Sequence, residues 1–379
     1  MLPPLMKHRR PHPGQHRVIR RCGLLCAAGL ALLPDIALAN PHLEGIRQLS
    51  LAGSGRASAT GVDAALVNPS GLTATQQFAI APVYQYSVAN NAHGLGALII
   101  DSLNNPKFGL GLGYTFFRGE QPIGYSDLEG GLSELETLRL GHEAYGLLSV
   151  NLFRGVWHLA VKPKWQYSVL QYRDEDGEVR NFRDKLNTFG LDVATSISIL
   201  RWLRLSVTGE NLVGAADPSW TTEDTDLPGV ETFPVPLDLS QIRRLSDFPR
   251  TLTHGLSVFP LGDMRLSINF DGLYDFTSYW DADADLDGVK DEHVRLMYGG
   301  SVEFIAGPVP IRVGGSWDGR GPGTEDDAAF VGAGAGFVQP AGDGGVGWEL
   351  NAGFSQQVTG ERLDTVIGLS LGIRLRPSL

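Results

Sequence analysis

Aspartates recur at positions 281, 283, 285, 287 and 291, with Gly288 between the last two. From Asp283 the pattern is D-x-D-x-D-G-x-x-D, which sets carboxylates along one side of a tight loop with glycine at its sharpest point, as a calcium loop requires. The twelfth position is Val294 rather than a bidentate Glu, so a full EF-hand site is absent, and Asp281 or Glu292 would have to compensate. Asp283, Asp285, Asp287 and Asp291 are therefore candidate ligands of a weak Ca2+ site. The competing reading is a solvated acidic loop tip. No other cofactor is expected.

Catalytic patterns dissolve on inspection. Gly368-Leu369-Ser370-Leu371-Gly372 has the form of a nucleophile elbow. It lies in an alternating apolar/polar run with no helix after it, and no histidine follows it. Gly109 to Gly113 and Gly332 to Gly336 alternate glycine with an apolar residue but lack the helix and acidic residue of a dinucleotide loop; such glycines make room on the inner face of a strand. His142, His158, His254 and His293 are scattered, and both cysteines, Cys22 and Cys26, lie within the first 39 residues. Barrel hydrolases that carry Ser, His and acids on strand rims match only in the loosest sense. The chain is read as not an enzyme.

The elements that carry these residues are short amphipathic strands. Leu203, Leu205 and Val207 oppose Arg204, Ser206 and Thr208, and Ile367 to Leu375 opposes Gly368 to Arg376 in the same way. Successive side chains of a strand point to opposite faces, so each run has one apolar and one wet face. Runs of this kind begin near Phe78, Gly94, Lys107, His142, Trp157, Phe189, Leu203, Arg250, Met264, Val294, Val309, Ala328, Gly347 and Arg362. Tight turns at Arg154-Gly155, 200–202 and 261–263 alternate with long segments at 119–141, 170–188, 213–249 and 276–293. Strands of about ten residues, with short turns at one rim and long loops at the other, predict an all-β fold: a transmembrane antiparallel β-barrel of about 14 strands. Arg204, Arg265, Arg312, Lys162, Glu210 and Asp271 are expected to face a wet lumen, and Pro82 or Pro163 to kink a strand where a lateral opening would lie. Aromatics near strand ends fit interfacial girdles, whereas the final Leu379 is a poor substitute for a terminal aromatic.

The chain opens with a basic stretch (Lys7 to Arg21), a short apolar run (Cys22 to Leu33) and Ala37-Leu38-Ala39, the grammar of a cleaved secretory signal. A lipoprotein acylated at Cys26 is the weaker alternative. The expected organisation is a signal peptide at 1–39, a plug segment at 40–77 and a barrel at 78–379. Of 31 basic and 42 acidic residues, the leader holds six and one, so the mature chain has 25 against 41, a net charge near −16. That balance argues against nucleic acid as a partner.

Residues 40–77 do not alternate. Their small side chains and the Asn68-Pro69 stop suit a segment folded inside the lumen, with a periplasmic linker as the alternative. Gly-x-Gly-Arg-Ala at Gly53 to Ala57, Asp63-Ala64-Ala65 and Asn68-Pro69-Ser70-Gly71-Leu72 resemble the outer-membrane long-chain fatty-acid transporter family (FadL/TodX-like). That family usually has Asn-Pro-Ala where this chain has Asn68-Pro69-Ser70. The resemblance implies a barrel in the bacterial outer membrane, plugged by an N-terminal hatch in which Gly53, Gly55, Arg56, Asn68 and Pro69 have plug or gating roles. It further implies uptake of a hydrophobic small molecule of the long-chain fatty-acid or aromatic-hydrocarbon class. Leu128, Leu132, Val230 and Phe233, with Leu135, Val235 and Leu237, are candidate apolar loop residues on the ligand's path, the competing reading being that they pack the long loops against each other. Outer-membrane lipid and lipopolysaccharide are the expected surroundings. A non-transporting barrel that anchors or shuttles partner proteins is the second reading.

Overall fold

The alternation closes on itself. In the computed structural model, which describes residues 43–126, 132–173, 179–181, 186–214, 248–282, 291–319, 327–339, 345–359 and 363–375, fifteen strands form one antiparallel sheet. They are β1 (Phe78–Ser87), β2 (Ala92–Asp101), β3 (Phe108–Ser126), β4 (Leu132–Leu152), β5 (Trp157–Arg173), β6 (Val179–Asn181), β7 (Leu186–Leu200), β8 (Leu203–Val213), β9 (Thr251–Val258), β10 (Leu266–Ala282), β11 (Asp291–Ala306), β12 (Val309–Gly319), β13 (Ala328–Gln339), β14 (Val346–Gln357) and β15 (Thr365–Leu375). β1 pairs with both β2 and β15, and β5 with both β4 and β7, while the three-residue β6 only extends the end of β5. The closed wall therefore has the expected fourteen strands. No helix among the described residues is long and apolar enough to cross a membrane.

The barrel is inside-out. Leu110, Leu112, Phe270 and Ile373 are exposed on the outer face, while Ser257, Asn269, Lys162 and Gln166 are buried on the inner one. Apolar side chains pointing outward suit hydrocarbon as the surrounding solvent, and a closed sheet leaves no unpaired edge within it. Connections at one rim are short: 102–107, 153–156, 201–202, 259–265, 307–308 and 340–345. The other rim carries the longest connections, including 214–250. Phe153 stacks on Trp157 at the short-turn rim with ring centroids 6.0 Å apart, and Tyr298 stacks on Trp317 nearer the other at 6.3 Å.

Thirteen strand starts lie within three residues of the sequence expectation, and the fourth does not. β4 begins at Leu132 rather than near His142 because 119–141 is mostly a hairpin extension, paired from Arg118↔Leu140 to Ser126↔Leu132. β3 and β4 are 19 and 21 residues long, roughly twice the 9–11 that a bilayer needs. Beyond the bilayer a hairpin has no lipid face and need not alternate. Arg265 also departs from expectation: it sits in the turn before β10, exposed, and pairs with Asp263 at 2.8 Å.

Several ladders are interrupted, two of them beside a proline. β1–β15 pairing skips Ala81 and Pro82, and β4–β5 pairing skips from Tyr145↔Lys164 to Leu148↔Val161 across Pro163. Proline has no N–H to donate, so these two gaps fall where Pro82 and Pro163 mark them.

Candidate functional site

Residues 43–77 cross the lumen. Helix α1 (Ile46–Ser50) touches β12–β15 on one wall, and the 3-10 turn Pro69–Ala74, which follows helix α2 (Gly61–Val67), touches β3, β4, β5 and β7 on the other. A segment of small residues can do this because the wall supplies glycines at the contact. A Cβ at Gly332 would lie 2.6 Å from the Leu49 carbonyl oxygen, and one at Gly314 or Gly368 would meet Leu51 or Ile46. Gly53 (φ +81°) and Gly55 (φ +91°) turn the chain in the left-handed region, where an L side chain is strained.

Buried polar bonds hold the segment at several points. Arg47 donates from Nε and Nη2 to Glu303 Oε2 at 3.0 and 2.7 Å, and from Nη2 to Ser58 Oγ at 2.6 Å. Glu303 Oε1 accepts from Arg312 Nε at 2.7 Å, and Arg312 donates on to Asn351 at 2.9 Å. Burial opposes the Arg47 charge, but Glu303 more than offsets it and holds the guanidinium above its ordinary pKa. The backbone N–H of Arg56 donates to Asp271 at 2.9 Å, and its guanidinium lies 4.0 Å from the same carboxylate.

Asn68 is fully buried. Its Nδ2 donates to the Arg56 carbonyl at 2.9 Å and to Ser196 Oγ at 3.1 Å, and its Oδ1 accepts from Ser70 Oγ at 2.6 Å. Pro69 opens the 3-10 turn, where its missing N–H costs nothing. Thr73 reaches His158 Nδ1 at 2.8 Å. Asp63 in α2 has its pKa raised by burial, partly offset by Arg47 and Arg312, and Glu44 is raised in the same way against Arg56.

The two long walls differ in chemistry. On one, Lys164 pairs with Asp192 at 2.8 Å and Glu143 at 3.5 Å, while Lys162 lies 3.7 and 3.8 Å from the same two acids. On the other, Ala79, Ala81, Val83, Leu98, Ile100, Tyr145 and Leu147 form an apolar inner face against Ile46, Val62, Ala65 and Leu72 of the segment. Lys162 Nζ stands 4.1 Å from the Tyr145 ring centroid, where the two chemistries meet.

The structure thus gathers Gly53, Gly55, Arg56, Asn68 and Pro69 in one luminal segment. Leu128, Val230 and Phe233 lie outside the described residues, as do Asp283, Asp285 and Asp287. Leu132 opens β4 opposite Ser126, and Asp291 opens β11 opposite Ala282. His142 and His254 point outward and His158 inward, so these three do not converge. Arg47, Glu303 and Ser196 were not foreseen, since nothing in their local sequence announces a partner more than 100 positions away. The apolar wall did leave a signal: Ala97-Leu98-Ile99-Ile100 is apolar on both faces, the mark of a strand buried on both.

No protein-family model and no curated protein matches this chain. Solved structures do. The toluene transporter TbuX of Ralstonia pickettii aligns with TM-score 0.57 and 10% identity over 89% of this chain and 99% of that one. A FadL homologue of Pseudomonas aeruginosa gives 0.52 and 12% over 90% and 99%. The Pseudomonas putida toluene transporter TodX gives 0.51 and 11% over 89% and 99%. At such identity the likeness is one of architecture: this chain has the barrel fold of the FadL- and TodX-type transporters.

Proposed function

We propose that this protein is an outer-membrane channel for uptake of hydrophobic small molecules, of the fatty-acid or aromatic-hydrocarbon class, exported by a cleaved leader and gated by residues 43–77. The apolar inner face of β1, β2 and β4 carries the reading. A water-filled pore has no use for a luminal wall of Leu98, Ile100 and Leu147, whereas an apolar solute crossing a polar surface layer needs one. The segment covers that wall with Ile46, Val62 and Leu72, so a ligand would take the place of these side chains. Transport of toluene by the TbuX and TodX neighbours agrees with this. A barrel serving only as an anchor would need neither the apolar wall nor a displaceable cover, so the uptake reading is preferred.

The test is binding of a fluorescent fatty acid and of a monoaromatic probe to the mature protein in detergent. It is run on wild type, on a variant lacking 40–77, and on Leu98→Asn/Ile100→Asn. Saturable binding that the wall substitutions weaken about tenfold or more, the effect of unpaired polar groups in an apolar site, supports uptake. Absence of binding in every form, with the barrel intact by circular dichroism, sinks it.

A further inference from the structure

We propose that the exterior of β1–β4, beside the long-connection rim, binds the phosphorylated headgroup of a membrane glycolipid. The strand register brings the residues together. Tyr86 is opposite His93, His93 is opposite Arg118, and Phe116 is opposite His142, all on the outward face. Such neighbours stand about 5 Å apart, and the ring centroids agree: 5.0 Å for Tyr86–His93 and 5.1 Å for Phe116–His142.

Each imidazole is oriented by a tyrosine. The Tyr84 hydroxyl meets His93 Nδ1 at 2.9 Å, and the Tyr114 hydroxyl meets His142 Nδ1 at 2.6 Å. With the hydroxyl donating, the ring proton resides on Nε2. Among the described residues no hydrogen bond uses either Nε2. The patch therefore offers two N–H donors and a guanidinium above a belt of exposed Leu95, Ile99, Leu110 and Leu112.

That composition runs against the sequence as a whole, whose net charge is −11. Arg118 does have an acid nearby, Glu120, at 3.5 Å, but both side chains are about half exposed and Glu120 also accepts from Asn91 at 3.0 Å. Exposed pairs of this kind are weak. A phosphate monoester carries more charge than a carboxylate and presents three acceptor oxygens, so it competes well for a forked guanidinium. Aromatic rings at the same height are what interfacial depth selects, and lipid phosphates lie at that depth. Acyl chains running down Leu95 and Leu110 would complete the contact and make the occupant a lipid rather than a free ion.

The inference borrows from the proposed function only the identity of the surrounding membrane. It is tested on the mature protein in dodecyl maltoside, titrated with diphosphoryl lipid A, its dephosphorylated analogue and inorganic phosphate, with binding read by native mass spectrometry. The expected result is diphosphoryl lipid bound about tenfold or more tightly than the dephosphorylated form, with His93→Gln/Arg118→Gln/His142→Gln removing that advantage. His254→Gln, outward on β9 and away from the patch, should leave it intact. Equal affinity for the two lipids, wild-type binding by the triple variant, or inorganic phosphate binding as tightly as the lipid overturns the proposal. Heat-modifiable gel mobility reports whether the triple variant is folded. If it is not, Arg118→Gln alone decides, with a severalfold loss supporting the proposal and no loss overturning it. Binding of hydrophobic probes in the lumen should be the same in all these variants, which separates this site from the uptake reading.

Discussion

Arg47 and Glu303 lie 256 positions apart in the chain and meet inside the barrel, Nη2 to Oε2, at 2.7 Å. Both are almost fully buried, and Arg312 binds the other oxygen of the same carboxylate. One acid thus ties a luminal arginine to a wall arginine, and the segment's position depends on a shared charge.

Removing that acid should unseat the segment. Glu303→Leu takes from two buried guanidiniums the carboxylate that both hydrogen-bond, a loss of about 3–5 kcal/mol by analogy with broken buried pairs. Arg47→Met should cost less, because Arg312 still neutralises Glu303. Amide hydrogen exchange over 46–74 reads both: strong loss of protection in the first variant and weaker loss in the second. Unchanged protection in Glu303→Leu would show that the segment is held by packing alone.

Asn68 should tolerate no isostere. Asn68→Asp keeps the shape but replaces the two donations to Arg56 and Ser196 with a buried charge, and Asn68→Ala strands the same acceptors, at about 1–3 kcal/mol. Thermal midpoints should fall in the order wild type, Ala, Asp. Ser196→Ala, which removes the bonds to Asn68 and Ser70 but leaves Asn68 joined to Arg56 and Ser70, should fall less than Asn68→Ala.

The glycines of the wall should be required only where they face the segment. Gly332→Val forces a side chain into the Leu49 carbonyl, an overpacking worth about 1–3 kcal/mol, and should raise ion conductance in planar bilayers by displacing α1. Gly315→Val, one strand over and facing out, where a Cβ has its nearest neighbour at 3.6 Å, should conduct like wild type. Equal conductance in the two would disconnect α1 from pore closure.

Asp63 gives the seated segment a pH dependence. Burial raises its carboxyl pKa, ahead of the opposing pull of Arg47 and Arg312, so the seated state holds a proton that a solvated Asp63 releases near pH 4. Seating is therefore favoured below the ordinary carboxylate range and weakens as pH rises through it, with Glu44 acting in the same direction. Asp63→Asn should raise the thermal midpoint at pH 7 and leave it unchanged at pH 3. A drop at pH 7 would mean that the ionised carboxylate is what the two arginines need.

The strand pattern was legible because lipid outside and water or polar side chains inside impose a period of two on most crossings, the apolar inner face of β1, β2 and β4 being the exception. Leu203 to Thr208 obeys it without exception. It misled where that constraint ends, at the β3–β4 extension, and at Arg265, where the alternation simply runs on into a turn. The luminal segment was legible as small residues and a proline stop, which announce close packing but not its partners. Which acid faces Arg47, or which serine faces Asn68, depends on where β11 and β7 fall in one closed ring, and no local pattern encodes that.

The ring also fixes an order of events. α1 rests on β12–β15, Arg47 on β11, and the 3-10 turn on β3–β7. These walls face each other only once β1 has met β15. Residues 46–50, although made before every strand, can reach their place on β12–β15 only after the last strand is in. A barrel halted before closure would therefore leave α1 without its wall, and the seating of α1 would mark that assembly is finished.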